Sequence, residues 1–188
     1  IWRFHDYMHR MHPDLIYAGL NKELGWESYE LSEKACYVLP KTTVEELALF
    51  LKEKLEVITV QIVGNPAMQV ERVGMLVGGG SLGLGTDYMP MELMRNNNLD
   101  VIICGEILEW TLCAYVRDAD QLGLDKALII VGHNRSEEIG MKHLQSWLEP
   151  LLPDIPIQFS EAQDSRYYGA WLAKSHSDCW RNGYGQGY

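Results

Sequence analysis

Two stretches of the chain, Val101-Ile102-Ile103-Cys104 and Ala127-Leu128-Ile129-Ile130-Val131, are unbroken apolar runs of strand length, each followed by a glycine and then a polar residue. A strand with no polar alternation belongs in a sheet covered on both faces, because either face left in water would expose half of it. Helical patterns follow them, Ile107 to Val116 after the first and Ser136 to Leu148 after the second. Strands alternating with helices predict crossover units, hence an α/β layered domain with a largely parallel or mixed sheet and helices on both faces. At 188 residues such a chain buries about two thirds of the surface its unfolded form exposes.

Further elements are legible upstream. Pro13-Asp14 ahead of Leu15, Ile16, Leu20 and Leu24, closed by Gly25, has the start, period and stop of a short helix. Thr43 and Glu46 form a capping box, which predicts a second helix running to about Lys54. Val57 to Val63 and Val70 to Val77 read as two strands joined through Gly64-Asn65-Pro66, and so as a pair. Pro90 to Met94 suggests a helix, and Trp2 to Phe4 a first strand. Because the chain opens inside that strand without a Met, residues are expected upstream.

Composition narrows the function classes. With 16 Lys and Arg against 26 Asp and Glu, the net charge of −10 opposes a protein that neutralises nucleic-acid phosphates, so direct nucleic-acid binding is not expected. No apolar run approaches the roughly 20 residues of a membrane helix, and 1–10 lacks a signal-peptide layout. No membrane association and a cytoplasmic location are expected. Cys36, Cys104, Cys113 and Cys179 show no C-x-x-C spacing and read as reduced, mostly buried thiols.

The chemistry-bearing residues cluster where strands end. Val131-Gly132-His133-Asn134-Arg135-Ser136-Glu137 takes the chain from a buried strand into a helix, at the strand end where ligands gather in α/β sheets. His133 and Glu137 are four residues apart, so an imidazole and a carboxylate can face one point, a donor pair that suits Zn, Mn, Fe or Ni better than Ca. The alternative is that Glu137 complements the helix dipole while His133 packs under the loop. His5 and His9, flanking Asp6 at the end of the first expected strand, supply a second histidine pair and favour metal. Glu106, after Cys104-Gly105, would stand at the same sheet edge as His133, either as an acid or base or as a carboxylate placed by the following helix dipole. The run Gly78 to Gly85 could offer backbone N–H groups to an anion or be there for tight packing, and it lacks the Gly-Lys-Ser/Thr ending of a P-loop. His12 and His143 read as surface residues, Trp110 as core, and His176 has no role.

Taken in order, Phe4-His5-Asp6 through His9 with Gly19 and Leu24-Gly25, Arg72-Val73 into Gly78-Gly79-Gly80-Ser81, Asp100 through Cys104-Gly105-Glu106, and Gly132-His133 through Ser136-Glu137 with Gly140 and Leu144 resemble the Nif-three-like proteins. These are dinuclear metal-centre proteins, some described as type 2 homologues of GTP cyclohydrolase one. The likeness runs from about Ile1 to Tyr168 and implies a metal pair held by His133 and a bridging Glu137, with a further ligand in the segment of His5. His9 stands where that family usually has an aspartate, and the family's adjacent His-His pair has no counterpart here. The resemblance also implies a toroidal hexamer with its metal sites facing an interior cavity. It makes 35–72 an inserted α+β subdomain, with 1–34 and 73–168 forming the metal-site domain; it ends before 169–188, where Gly183, Gly185 and Gly187 spaced between Tyr184, Gln186 and Tyr188 read as a loose tail.

Two functions follow as expectations. One is a metal-dependent, cyclohydrolase-like hydrolase of a nucleotide-like or other small anionic substrate, with one or two divalent ions on His133, Glu137, His9 and His5, and Glu106 as general acid or base. The other is a non-catalytic metal-binding or regulatory oligomeric scaffold.

Overall fold

The computed structural model describes residues 3–162. The expected tail at 169–188, with His176 and Cys179, lies outside them.

Helix α1 (His5–Arg10) and helix α2 (Leu15–Leu24) open the described chain. The Asp14 carboxylate caps α2 by accepting from the Ile16 and Tyr17 amides, and Gly25 closes it in the left-handed conformation. Start and stop therefore match the sequence reading. The reading of a strand ending at Phe4 is corrected: Phe4 is the N-cap of α1, and His5 and His9 sit one turn apart on a helix. Two aromatic residues either side of Arg3 are too short a run to show a period, so local pattern does not separate the two states.

Strand β1 (Cys36–Thr43) leads into helix α3 (Val44–Lys54) through the expected capping box on Thr43 and Glu46. Strands β2 (Gln61–Val63) and β3 (Gln69–Leu76) follow, but they do not pair with each other. The rest comprises helix α4 (Met89–Asn96), strand β4 (Val101–Cys104), helix α5 (Ala114–Gln121), strand β5 (Ala127–Ile130) and helix α6 (His133–Leu148). The sheet order is β1-β3-β4-β5-β2, with β3, β4 and β5 parallel and the two edge strands antiparallel. The Gly64-Asn65-Pro66 signal marks a reversal of direction, not a hairpin, because the chain leaves β2 at one edge and returns in β3, one strand in from the other edge. β1 was not anticipated; Pro40 masks it, and is tolerated because β1 is an edge strand whose register slips between Val38 and Thr42.

Two cores lie on the two faces of the sheet. Val73, Met75, Val101, Ile103, Ala127 and Ile129 pack against α2 and α3, while Leu76, Ile102, Cys104, Leu128 and Ile130 pack with Met94 of α4 and Val116 of α5. β4 and β5 are buried at every position, as their unalternating sequences require. The helix expected from Ile107 to Val116 begins only at Ala114; Glu109–Cys113 form an irregular turn with Thr111 far from helical dihedrals. That kink turns Trp110 outward, 76% exposed, where a core position was expected. No helix among the described residues is long and apolar enough to cross a membrane.

Candidate metal centre

The three parallel strands release the chain at one edge, β3 into Gly78, β4 into Glu106 and β5 through Gly132 into α6. His133 is the first residue of α6 and Glu137 lies one turn on, so both face the same side. His5 and His9 share a face of α1 for the same reason. That helix is seated by the fully buried Met8 and by Phe4, whose ring stacks on Trp147 of α6 at 5.9 Å.

Glu137 is where the two helices meet. His5 Nε2 lies 3.1 Å and His133 Nε2 3.3 Å from its Oε2, and His9 Nε2 lies 3.6 Å from its Oε1. On the other side of each ring stands a further carboxylate: Asp6 at 3.1 Å from His5 Nδ1, Asp14 at 3.0 Å from His9 Nδ1, and Glu106 at 3.2 Å from His133 Nδ1. Donor atoms of His5, His9 and Glu137 all lie within 4.8 Å of one another, a spacing that one metal ion can bridge. The structure thus brings together all five residues singled out from sequence. It also adds Asp14, which sequence reading used only as a helix cap; its side chain is 3% exposed and also accepts from Lys34 at 2.9 Å. His12 is exposed as expected. His143 is not a surface residue but a partly buried partner of Glu23 across α2 and α6, apart from the centre.

The backbone makes room for this carboxylate. Gly78 has φ +53, and a Cβ there would overlap the Glu137 carboxylate and press on the His133 ring at 3.1 Å. Its N–H donates to Ser136 Oγ at 2.9 Å, and that hydroxyl donates to the His133 carbonyl at 2.7 Å, tying the end of β3 to the first turn of α6. Glu106 N–H donates to the Gly78 carbonyl, and Ser81 Oγ donates to the Glu106 carbonyl. With the Gly78 amide engaged by Ser136 of α6 and those of Gly80 and Leu82 engaged by carbonyls of Val77 and Gly79, the glycine run serves close packing around the centre.

Electrostatics follow from the geometry. The Asp14 hydrogen bond, then the Glu137 carboxylate 3.6 Å away, pushes the His9 imidazole up to about 9. Burial alone would raise the Glu137 carboxyl, but the nearby His9, the His5 hydrogen bond and the His133 charge hold it below its ordinary value. A raised imidazole stabilises the metal-free fold fully below its unfolded value of 6.5 and loses that contribution as pH rises through about 9. The lowered carboxyl of Glu137 contributes above its unfolded value of 4.5 and loses that contribution as pH falls. Metal needs the neutral imidazole, so its affinity changes in the opposite sense to His9 protonation. Between pH 6.5 and 9 the melting temperature of chelator-treated protein is expected to fall while the shift produced by added zinc grows. Parallel thermal scans at half-unit pH steps check this, and a zinc shift that shrinks with rising pH would contradict it.

A model of the Duf34/NIF3 family (NGG1p interacting factor 3) matches residues 17–165. The chain belongs to this family. The match holds Glu106, His133 and Glu137, while His5 and His9 precede it. Among solved structures, the family chain is similar to protein ybgI, described as of unknown function, at 23% identity and a TM-score of 0.61 over 81% of this chain and 58% of that one. It is also similar to Staphylococcus aureus protein SA1388, at 23% identity and a TM-score of 0.52 over 70% of this chain and 35% of the other. At such identities the likeness shows the fold. The chain spans 35% and 58% of the lengths of these two structures. No curated protein matches it.

Proposed function

We propose that this NIF3-family chain holds a divalent transition metal and uses it to hydrolyse a nucleotide-like or other small anionic substrate. The observation that carries this is the convergence of three imidazole Nε2 atoms on the half-buried carboxylate of Glu137. Imidazole nitrogen with carboxylate oxygen suits Zn, Fe, Mn or Ni, as one ion or two. Bound there, the metal would lower the pKa of a water toward neutrality and polarise a phosphoryl or ring C=N group. His5, His9, His133 and Glu137 hold it, and Glu106, with a side chain 44% exposed beside His133, is placed to exchange a proton with substrate. Screening the full-length protein against a nucleotide panel with each metal is expected to give turnover that chelation abolishes and the same metal restores. Turnover indifferent to chelation sinks the reading.

A scaffold role is favoured by one feature of the same site: donor atoms of His5, His9 and Glu137 lie within one ion's reach of one another, and if His133, 3.3 Å from Glu137, joined them, protein atoms would fill all four positions of a tetrahedral ion. Cobalt-substituted protein separates the two: a visible spectrum that responds to azide or inorganic phosphate reveals an open position, and one that does not reveals a closed site. The hexamer implied by family resemblance belongs to the same proposal, and light scattering on the full-length protein tests it.

A further inference from the structure

Each imidazole of the centre is gripped at both nitrogens, and the two grips have different parts to play. Nε2 of His5, His9 and His133 faces the shared Glu137, whereas Nδ1 of each faces a carboxylate of its own, Asp6, Asp14 or Glu106. Those three carboxylates reach the site from unrelated places in the chain: α1 itself, the cap of α2 and the turn after β4. A carboxylate on Nδ1 keeps the proton on that nitrogen, leaves the Nε2 lone pair for metal, and fixes the plane of the ring.

On this geometry we propose that Asp14 and Glu106, with Asp6 as a weaker third, are positioning residues that commit His9, His133 and His5 to bind metal through Nε2. The proposal rests on the metal-binding reading and gives Glu106 a task besides proton exchange. Side-chain exposure ranks the three, because a clamp in water is screened and must order a mobile side chain. Asp14 is 3% exposed, Glu106 44% and Asp6 73%. Asp14 is further anchored by two backbone amides and by Lys34, so its oxygen is held before any metal arrives.

The test uses the full-length protein labelled with 15N at histidine, metal-free and zinc-loaded, together with competition measurements of zinc affinity. In the zinc-loaded parent the three rings are expected to show metal at Nε2 and a proton at Nδ1. Asp14→Asn preserves the cap of α2, since asparagine also caps well, and is expected to weaken zinc binding on the order of 100-fold, at the upper end for an outer carboxylate. Glu106→Ala is expected to weaken it on the order of 10-fold and to alter the nitrogen shifts of His133 alone. Glu106→Gln, which keeps an acceptor oxygen, should restore the His133 shifts with affinity between alanine and parent. Asp6→Asn should cost about fivefold or less, as an exposed pair does. Zinc bound through Nδ1, or a Glu106→Ala protein with unchanged affinity and unchanged His133 shifts, overturns the proposal even if hydrolysis is lost. If the parent binds no zinc, the metal reading fails by itself. The metal-free His133 spectrum then still decides whether Glu106 sets the tautomer, since a proton kept on Nδ1 in the parent and released in Glu106→Ala supports the clamp.

Discussion

Replacing Glu137 by glutamine is expected to leave a folded protein that no longer retains metal through dialysis. The side chain is 13% exposed and receives His5 and His133 on one oxygen and His9 on the other. Glutamine keeps the shape but removes the negative charge and replaces one of those oxygens with an amide NH2, which has no lone pair to offer a metal. Loss of an outer carboxylate already costs about 10- to 100-fold in affinity, so loss of this central anion should exceed that on the order of 10-fold more. Elemental analysis after dialysis, with far-ultraviolet circular dichroism as the folding control, reads the outcome. Metal retained at parental stoichiometry would falsify the assignment of Glu137 as the central ligand.

Gly140→Ala is expected to show the largest loss of stability among single-methyl additions outside the centre. Helices α2 and α6 touch backbone to backbone: a Cβ on Gly140 would lie 2.6 Å from both the Cα and the carbonyl oxygen of Ile16, and one on Gly19 would lie 2.8 Å from the Gly140 Cα. Carbon atoms pack at about 3.5–4.0 Å, so the helices must separate by roughly 1 Å, and no flexible side chain is available to yield instead. Overpacking of this kind costs about 3 kcal/mol, which for a chain of this size lowers the melting temperature by roughly 6–12 °C. Because α2 begins at Asp14 and α6 carries His133 and Glu137, zinc affinity should fall with it. A melting temperature within about 2 °C of the parent would show that the two helices are not packed as closely as described.

Much of the centre was visible in the sequence because its donors recur at helical spacing. His133 and Glu137 stand four residues apart immediately after a buried strand, and His5 and His9 repeat that spacing. The strand assigned to Phe4 was wrong, yet the pair survived the error, since four residues is also one helical turn. Asp14 escaped notice because its role as the cap of α2 fully accounted for it; only the fold shows that its second oxygen reaches His9. Trp110 was placed in the core on hydrophobicity alone, and the kink at Thr111 that turns it outward has no local signature.

Elements whose causes are local can be read directly from the chain. The caps of α2 and α3, the glycine stop at Gly25 and the buried strands β4 and β5 each follow from residues within a turn or a few positions of one another. What depends on distant residues meeting is set by the packed fold. It placed β2 and β3 apart in the sheet, although the turn between their segments reads as a hairpin, because a turn fixes direction but not partner. It also laid α1 against α6, so that His5 and Glu137, 132 positions apart, lie within 3.1 Å. Spacing along a chain records which side chains share a face; which faces come together is set by the packing of the two cores, a sum over contacts that no single segment contains.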